Sequence, residues 1–250
     1  MKYKAIIFDL DGTVVPSRPE GMPSEEVIES VHKLQGKIKL SFATGRSIYT
    51  CRDIEKVLGL TDPCVINGGS QIVNPKTEEV LWEQDLPDNV IEQLINISSE
   101  FSEKLIINGI IFESKAHISE FPKIANILCA LGVRKDNTDF LVEKLTKIPD
   151  LAVHILPSWI EGDYWDIHIT HKLATKKYAI EKLIEILGVK KEEVIGIGDG
   201  NNDMPLFESV GYKVAMGNAV DVLKNAADYI TDTLENNGFV KFIEEKLPTI

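Results

Sequence analysis

Short runs of consecutive apolar residues alternate along the chain with stretches whose apolar residues recur every three or four positions. Lys4 to Phe8 is a run of the first kind and predicts a buried strand that ends at Asp9-Leu10-Asp11-Gly12. Pro23-Ser24 opens a helical stretch to about Gln35, with Val27, Ile28, Val31 and Leu34 on one face. Ile38 to Ala43 reads as a second strand ending at Thr44-Gly45-Arg46, followed by a helix from Ser47 to Leu58 with Gly59 as its stop. Cys64-Val65-Ile66 is a third strand, closed by Asn67-Gly68-Gly69. Three strands thus end in polar or glycine-rich turns, where open parallel sheets collect their ligands.

The pattern changes near Gln84. A helix is predicted from Pro87 to about Phe101, and Asn108-Gly109 between two β-rich runs predicts a hairpin over Lys104 to Glu113. Helical material is expected at 117–131 and 138–147, then strands at Leu151 to Leu156 and Tyr164 to Thr170. The βα alternation returns with a helix from Thr175 to Leu187 stopped by Gly188, a strand from Val194 to Gly198, and short strands at Tyr212 to Ala215 and Tyr229-Ile230. The expected fold is α/β: a Rossmann-like parallel-sheet core, residues 1–83 and 167–250, carrying an inserted α+β segment, residues 84–166.

With 250 residues, 44% of them hydrophobic, there is enough apolar material for a core without disulfides or structural metals. The formal net charge of -12 disfavours nucleic-acid backbones and anionic membranes as partners, leaving room for a small anionic substrate in a locally positive pocket. Cys51, Cys64 and Cys129 are far apart with no CxxC pair, which points to a reducing compartment and a cytoplasmic location. The apolar run before Asp9 is too short for a signal peptide, and no stretch approaches the ~20 apolar residues of a membrane helix.

Four clusters carry candidate chemistry. Asp9 and Asp11 place two carboxylates just past a buried strand, where like charges raise each other's pKa and a hard cation such as Mg²⁺ resolves the conflict. Alone, the same residues read equally as a solvated Asp-Gly turn. Thr44-Gly45-Arg46 offers a hydroxyl and backbone N–H groups at a strand-to-helix turn, suited to phosphate oxygens or to simple capping. Lys176 opens a helix, where an anion would offset its clash with the macrodipole; periodicity does not choose among Lys172, Lys176 and Lys177. Gly196 to Asp203 begins like a dinucleotide fingerprint, but Asn201 stands where the third glycine belongs, and the strand end instead offers Asp199 and Asp203 as metal-site acids. His154, His168 and His171 lack zinc-ligand spacing, and Trp82, Trp159 and Trp165 read as core or interface residues.

Taken in order, Asp9-Leu-Asp11-Gly-Thr13, Thr44-Gly45-Arg46, Lys176 and Gly198-Asp199-Gly200-Asn201-Asn202-Asp203 resemble the haloacid dehalogenase superfamily of phosphohydrolases. The stretch Val214-Ala215-Met216-Gly217-Asn218-Ala219 and the position of the insert resemble the Cof-type branch with its α+β cap; Lys177 departs from the glycine usual after the motif lysine. The resemblance implies a phosphatase with Asp9 as nucleophile and Asp11 as acid and base, holding a proton part of the time. It implies Mg²⁺ held by Asp9, the Asp11 carbonyl and Asp199, with Asp203 behind them. Thr44, Gly45 and Lys176 would grip the phosphoryl oxygens, Asn202 would hold the loop or the phosphate, and Arg46, Asn67 and Gly68 would border the leaving group. The cap would choose the leaving group. Its single arginine, Arg134, argues for a small phosphorylated metabolite with one phosphate, of sugar phosphate or phosphoglycolate type. A phosphomutase or phosphotransferase using Asp9, and a non-catalytic phosphate-ligand sensor, are the alternatives. Oligomeric state is not legible.

Overall fold

A computed structural model describes residues 2–18, 20–158 and 160–250. In chain order the elements begin with β1 (Ala5–Phe8), α1 (Glu25–Leu34), β2 (Lys39–Phe42), α2 (Ile48–Leu58), β3 (Cys64–Ile66), β4 (Gln71–Val73) and β5 (Val80–Glu83). They continue with α3 (Ile91–Ser99), β6 (Lys104–Ile107), β7 (Ile110–Glu113), β8 (Ile127–Arg134), α4 (Lys135–Thr146), β9 (Leu151–Pro157) and β10 (Tyr164–His171). The chain closes with α5 (Lys176–Leu187), β11 (Val194–Gly198), α6 (Met204–Ser209), β12 (Tyr212–Ala215), α7 (Asp221–Ala226), β13 (Tyr229–Ile230) and α8 (Gly238–Lys241). Two compact units result: Met1–Leu81 with Lys176–Ile250, and Trp82–Thr175.

The first unit is built on a five-stranded sheet in the order β13-β12-β11-β1-β2, parallel throughout. Strands β1 and β11 are uninterrupted apolar runs because both faces are covered, and Ile6, Ile7 and Phe8 are fully buried. Phe8 meets Phe239 edge-on, with ring centroids 5.4 Å apart. In α1 the Ser24 hydroxyl accepts from the Val27 N–H at 3.3 Å, while Glu25 and Glu26 occupy the favourable first turn. Gly59 stops α2 in the left-handed region, φ 62°. Ser47 holds the N-cap position of α2 without a side-chain capping bond. The β3 strand turns back at Asn67 and Gly68 to pair with β4 in a separate sheet, β3-β4-β5; a bridge between Ala43 and Val65 joins it to the end of β2. Parallel strands bring their carboxyl ends to one edge, so Asp9, Thr44 and Asp199 emerge side by side.

The second unit holds an antiparallel sheet in the order β7-β6-β8-β10-β9. One face, including Leu105, Ile107, Leu128, Ala130, Ile167 and Ile169, forms a core with Leu94, Ile95, Leu141 and Leu145 of α3 and α4. Asn108 (φ 51°) and Gly109 (φ 82°) make the expected tight hairpin turn. The helix expected over 117–131 is not there. Only a single turn, Ile118–Glu120, is helical, and β8 runs through the centre of the sheet. An apolar run buried in mid-sheet has no alternation to distinguish it from a buried helix. The unit also extends past residue 166 because β10 pairs along its length with β8 and β9. Trp165 packs against this core, Trp82 is half-buried, and Trp159 lies outside the described residues. Among the described residues, no helix is long and apolar enough to cross a membrane. Cys51, Cys64 and Cys129 are free thiols, all buried.

One buried acid in the first unit has no evident compensation. Glu55 on α2 is buried, and its Oε1 has no hydrogen-bond partner. Burial, reinforced by Glu78 and opposed by Arg52, pushes its carboxyl from the usual 4.5 up to about 7. The unfolded chain therefore releases this proton first as pH rises, and stability drains away between the two values. Glu55→Gln is expected to match the parent near pH ~4 and to exceed its stability by about 1–3 kcal/mol above neutral pH. Denaturant melts at the two pH values check this.

Candidate active site

Asp9 follows β1 directly and is almost fully buried, with 3% of its surface exposed. Such a carboxylate needs a partner, and Lys176 supplies it: Nζ donates to Asp9 Oδ1 at 2.8 Å and to Asp203 Oδ1 at 2.5 Å. Lys176 is the first residue of α5 and is itself buried, whereas Lys177 reaches Glu208 at the surface and Lys172 pairs with Asp150. Geometry thus separates three lysines that the pattern alone leaves equivalent. Burial works against the Lys176 charge, but Asp203 and Asp9 outweigh it and hold the ammonium firmly protonated.

Asp203 is fully buried and its carboxylate is saturated. Besides Lys176 on Oδ1, the backbone N–H groups of Asp199 and Gly200 both donate to Oδ2 at 2.9 Å. It shapes the loop after β11 and so aims Asp199. Burial, then the Asp203 charge, push Asp199 up to about 7, against the Thr13 hydroxyl and Lys176. The Thr13 Oγ1–H donates to Asp199 Oδ1 at 3.2 Å. Gly12, at φ 77°, has no space for a side chain: a Cβ there would lie 2.1 Å from Asp199 Oδ2.

Asp11 points to a different partner. Arg46 grips it with a two-pronged guanidinium contact, Nη2 to Oδ1 at 2.6 Å and Nε to Oδ2 at 2.9 Å. Nη2 also donates to the Arg18 carbonyl at 2.9 Å. Arg46, expected at the leaving group, is therefore engaged with the acid itself. Thr44 is buried, and its Oγ1 accepts from the Arg46 N–H at 3.2 Å. Beside it, a Cβ on Gly45 would meet nothing within 4 Å, so this stretch of backbone faces open space. Asn67 and Gly68 support that loop from behind, their N–H groups donating to the Arg46 and Thr44 carbonyls at 2.8 and 3.1 Å. The Asn67 side chain donates to Gln71 Oε1 at 2.8 Å. Asn202 is exposed, its Oδ1 lying 2.2 Å from where a Cβ on Gly200 would stand.

Carboxylate oxygens of Asp9, Asp199 and Asp203 lie within 4.8 Å of one another. Burial and the Asp203 charge raise Asp9 well above the ordinary carboxylate range, despite Lys176. The cluster thus carries more negative charge than its own cation balances. Its donors are all hard oxygens, without histidine or cysteine, which fits a divalent cation of the magnesium type.

The family model for haloacid dehalogenase-like hydrolases matches residues 6–122 and 110–243. The chain belongs to that family. It is an enzyme of the phosphoric monoester hydrolase class. It is 28% identical over 247 residues to Phosphoglycolate phosphatase 1 of Saccharolobus solfataricus, covering 98% of this chain and 96% of that protein. It is also 28% identical over 249 residues to the 5-amino-6-(5-phospho-D-ribitylamino)uracil phosphatase YcsE of Bacillus subtilis, covering 96% and 94%. In fold it is similar to a haloacid dehalogenase-like hydrolase from Bacteroides thetaiotaomicron, with a TM-score of 0.83 at 24% identity over 97% of this chain and 98% of that one.

Two contacts in this hydrolase escape the sequence: the Arg46 clamp on Asp11 and the hold of Thr13 on Asp199. Both partners of each sit within recognised motifs, but no spacing rule says that loops thirty-five or 186 positions apart will share a hydrogen bond. Arg46→Lys keeps a charge and loses the fork, so kcat is expected to fall about 10- to 100-fold with KM little changed, by steady-state kinetics. Lys176→Met strands two buried carboxylates and is expected to cost about 3–5 kcal/mol of stability without metal, measured by denaturant melts in EDTA.

Proposed function

We propose that this hydrolase is a magnesium-dependent phosphatase that cleaves a small phosphorylated metabolite through an aspartyl-phosphate on Asp9. The observation that carries the reading is the buried Asp9 carboxylate, paired on Oδ1 with Lys176 and set beside Asp199. An Asp9 oxygen attacks phosphorus, and the bond from phosphorus to the ester oxygen breaks. Asp11 donates its proton to that departing oxygen. A water then attacks the aspartyl-phosphate while Asp11 takes the water's proton, which frees Asp9 and inorganic phosphate. Both Asp11 oxygens accept from Arg46 in the resting site, so one of them leaves the guanidinium to carry the proton in either transfer, while the other keeps Asp11 oriented.

The carboxylates of Asp9 and Asp199 and the backbone carbonyl of Asp11 would hold Mg²⁺, with Asp203 bracing the loop. When bound, the ion screens the repulsion between the anionic nucleophile and the anionic phosphate. Lys176, the Thr44 hydroxyl and the Gly45 N–H serve the phosphoryl oxygens, where transition-state charge collects. Asn202, which is exposed, borders the approach, while Asn67 and Gly68 brace the loop that carries Thr44 and Arg46. The Trp82–Thr175 unit selects the leaving group. Arg134 is exposed, 4.0 Å from Asp136, and no other arginine lies in that unit to clamp a second phosphate. This favours monophosphates, in keeping with relatives named for phosphoglycolate and for a phosphoribitylamino compound.

Phosphate release from a panel of sugar phosphates, phosphoglycolate and bisphosphates, with Mg²⁺ or EDTA, tests the reading. Turnover is expected only with Mg²⁺, best on a monophosphate, and reduced on the order of 10³-fold or more by Asp9→Asn. Activity surviving both EDTA and Asp9→Asn would rule out the mechanism, and a strong preference for bisphosphates would rule out the substrate class.

A further inference from the structure

Asn218 follows β12 and has no part in the reaction as described, yet its side chain ties three loops together. Its Nδ2 donates to the Gly12 carbonyl at 2.9 Å and to Asp199 Oδ2 at 3.4 Å. Its Oδ1 accepts from the Leu234 N–H at 2.9 Å. Topology explains the reach. Strand β12 lies between β13 and β11, so the loop leaving it adjoins the loops after both, and Gly12 follows β1, one strand further on. Backbone bonds seat the segment against the metal-site loop: Met216 N–H donates to the Gly198 carbonyl at 3.0 Å and Val220 N–H to the Asp199 carbonyl at 2.9 Å. Gly217 permits the fit, since a Cβ there would come within 2.7 Å of the backbone at Asp232 and Thr233.

We infer that Asn218 is a positioning residue that fixes the Asp199 carboxylate for divalent-cation binding. With Thr13 on Oδ1 and Asn218 on Oδ2, each oxygen of Asp199 has a protein donor. The carboxylate is held from rotating, and the same amide holds the loop that carries Asp9 and Asp11. An amide suits the position because it donates to a carbonyl and a carboxylate while accepting from a backbone N–H; aspartate offers no donor, and alanine offers nothing. Supporting groups of this kind typically alter metal affinity about 10- to 100-fold when removed.

The inference rests on Asp199 being a metal ligand, and the test separates the two. Mg²⁺ binding is measured by titration calorimetry on the wild type, Asn218→Ala and Asn236→Ala, with melting temperatures in EDTA. Asn236 donates to Asp232 at 3.1 Å in the same outer loop and not to Asp199, so it reports loop loosening alone. The expected result is Mg²⁺ affinity about tenfold weaker in Asn218→Ala, unchanged in Asn236→Ala, and similar melting temperatures for the two variants without metal. Equal Mg²⁺ affinity in wild type and Asn218→Ala overturns the positioning role and leaves the metal reading intact. An equal loss in both variants overturns it in favour of general loop support. No Mg²⁺ binding by the wild type overturns both readings together.

Discussion

The Lys176 ammonium, held between Asp9 and Asp203 away from water, is the contact on which the rest of the site depends. Each of these three groups alone would be a costly buried charge; together they satisfy one another, with two backbone N–H groups completing Asp203. The arrangement does not close electrically. Four carboxylates, Asp9, Asp11, Asp199 and Asp203, face two cations, Lys176 and Arg46, and burial, reinforced by the Asp203 charge, raises Asp9 and Asp199. That imbalance costs stability, and it leaves a cluster of hard oxygen donors that could hold a divalent cation.

The parallel sheet is what makes such crowding possible. Strands β1, β2, β11 and β12 end at one edge, so residues separated by most of the chain meet over a few ångströms. Close approach sets strict demands on the backbone, met by Gly12 beneath Asp199 and by Gly217 against the loop after β13. The loops then brace one another through Arg46, Thr13 and Asn218 rather than through the apolar core below. Rigid strands and cross-linked loops together hold the acids in place before any ligand arrives, as electrostatic catalysis requires.

The two units solve different packing problems. In the first, both faces of the sheet are covered, and the central strands β1 and β11 show unbroken apolar runs. In the second, α3 and α4 pack on one face, and β6 alternates as a half-buried strand should. Strand β8 differs. Central in its sheet, with Cys129 and Ile127 buried as well as Leu128 and Ala130, it lost the alternation that would have marked it as a strand.

Local pattern was enough for most of the architecture: the strand at Ala5–Phe8, the Gly59 stop, the Asn108-Gly109 hairpin and the α/β class all follow from short-range sterics and burial periodicity. The candidate acids were legible too, because Asp9 and Asp199 directly follow apolar strands, where a charged residue interrupts the run, and Asp11 and Asp203 stand in the loops that continue them. Periodicity left three lysines open, and the motif order singled out Lys176, which the structure buries against Asp9; tertiary structure alone decided that Arg46 grips Asp11 and that Asn218 reaches from Leu234 to Gly12. These depend on strand order and on distances between loops. Periodicity reports which face of an element is buried; it carries no information about which side chains from remote segments meet there.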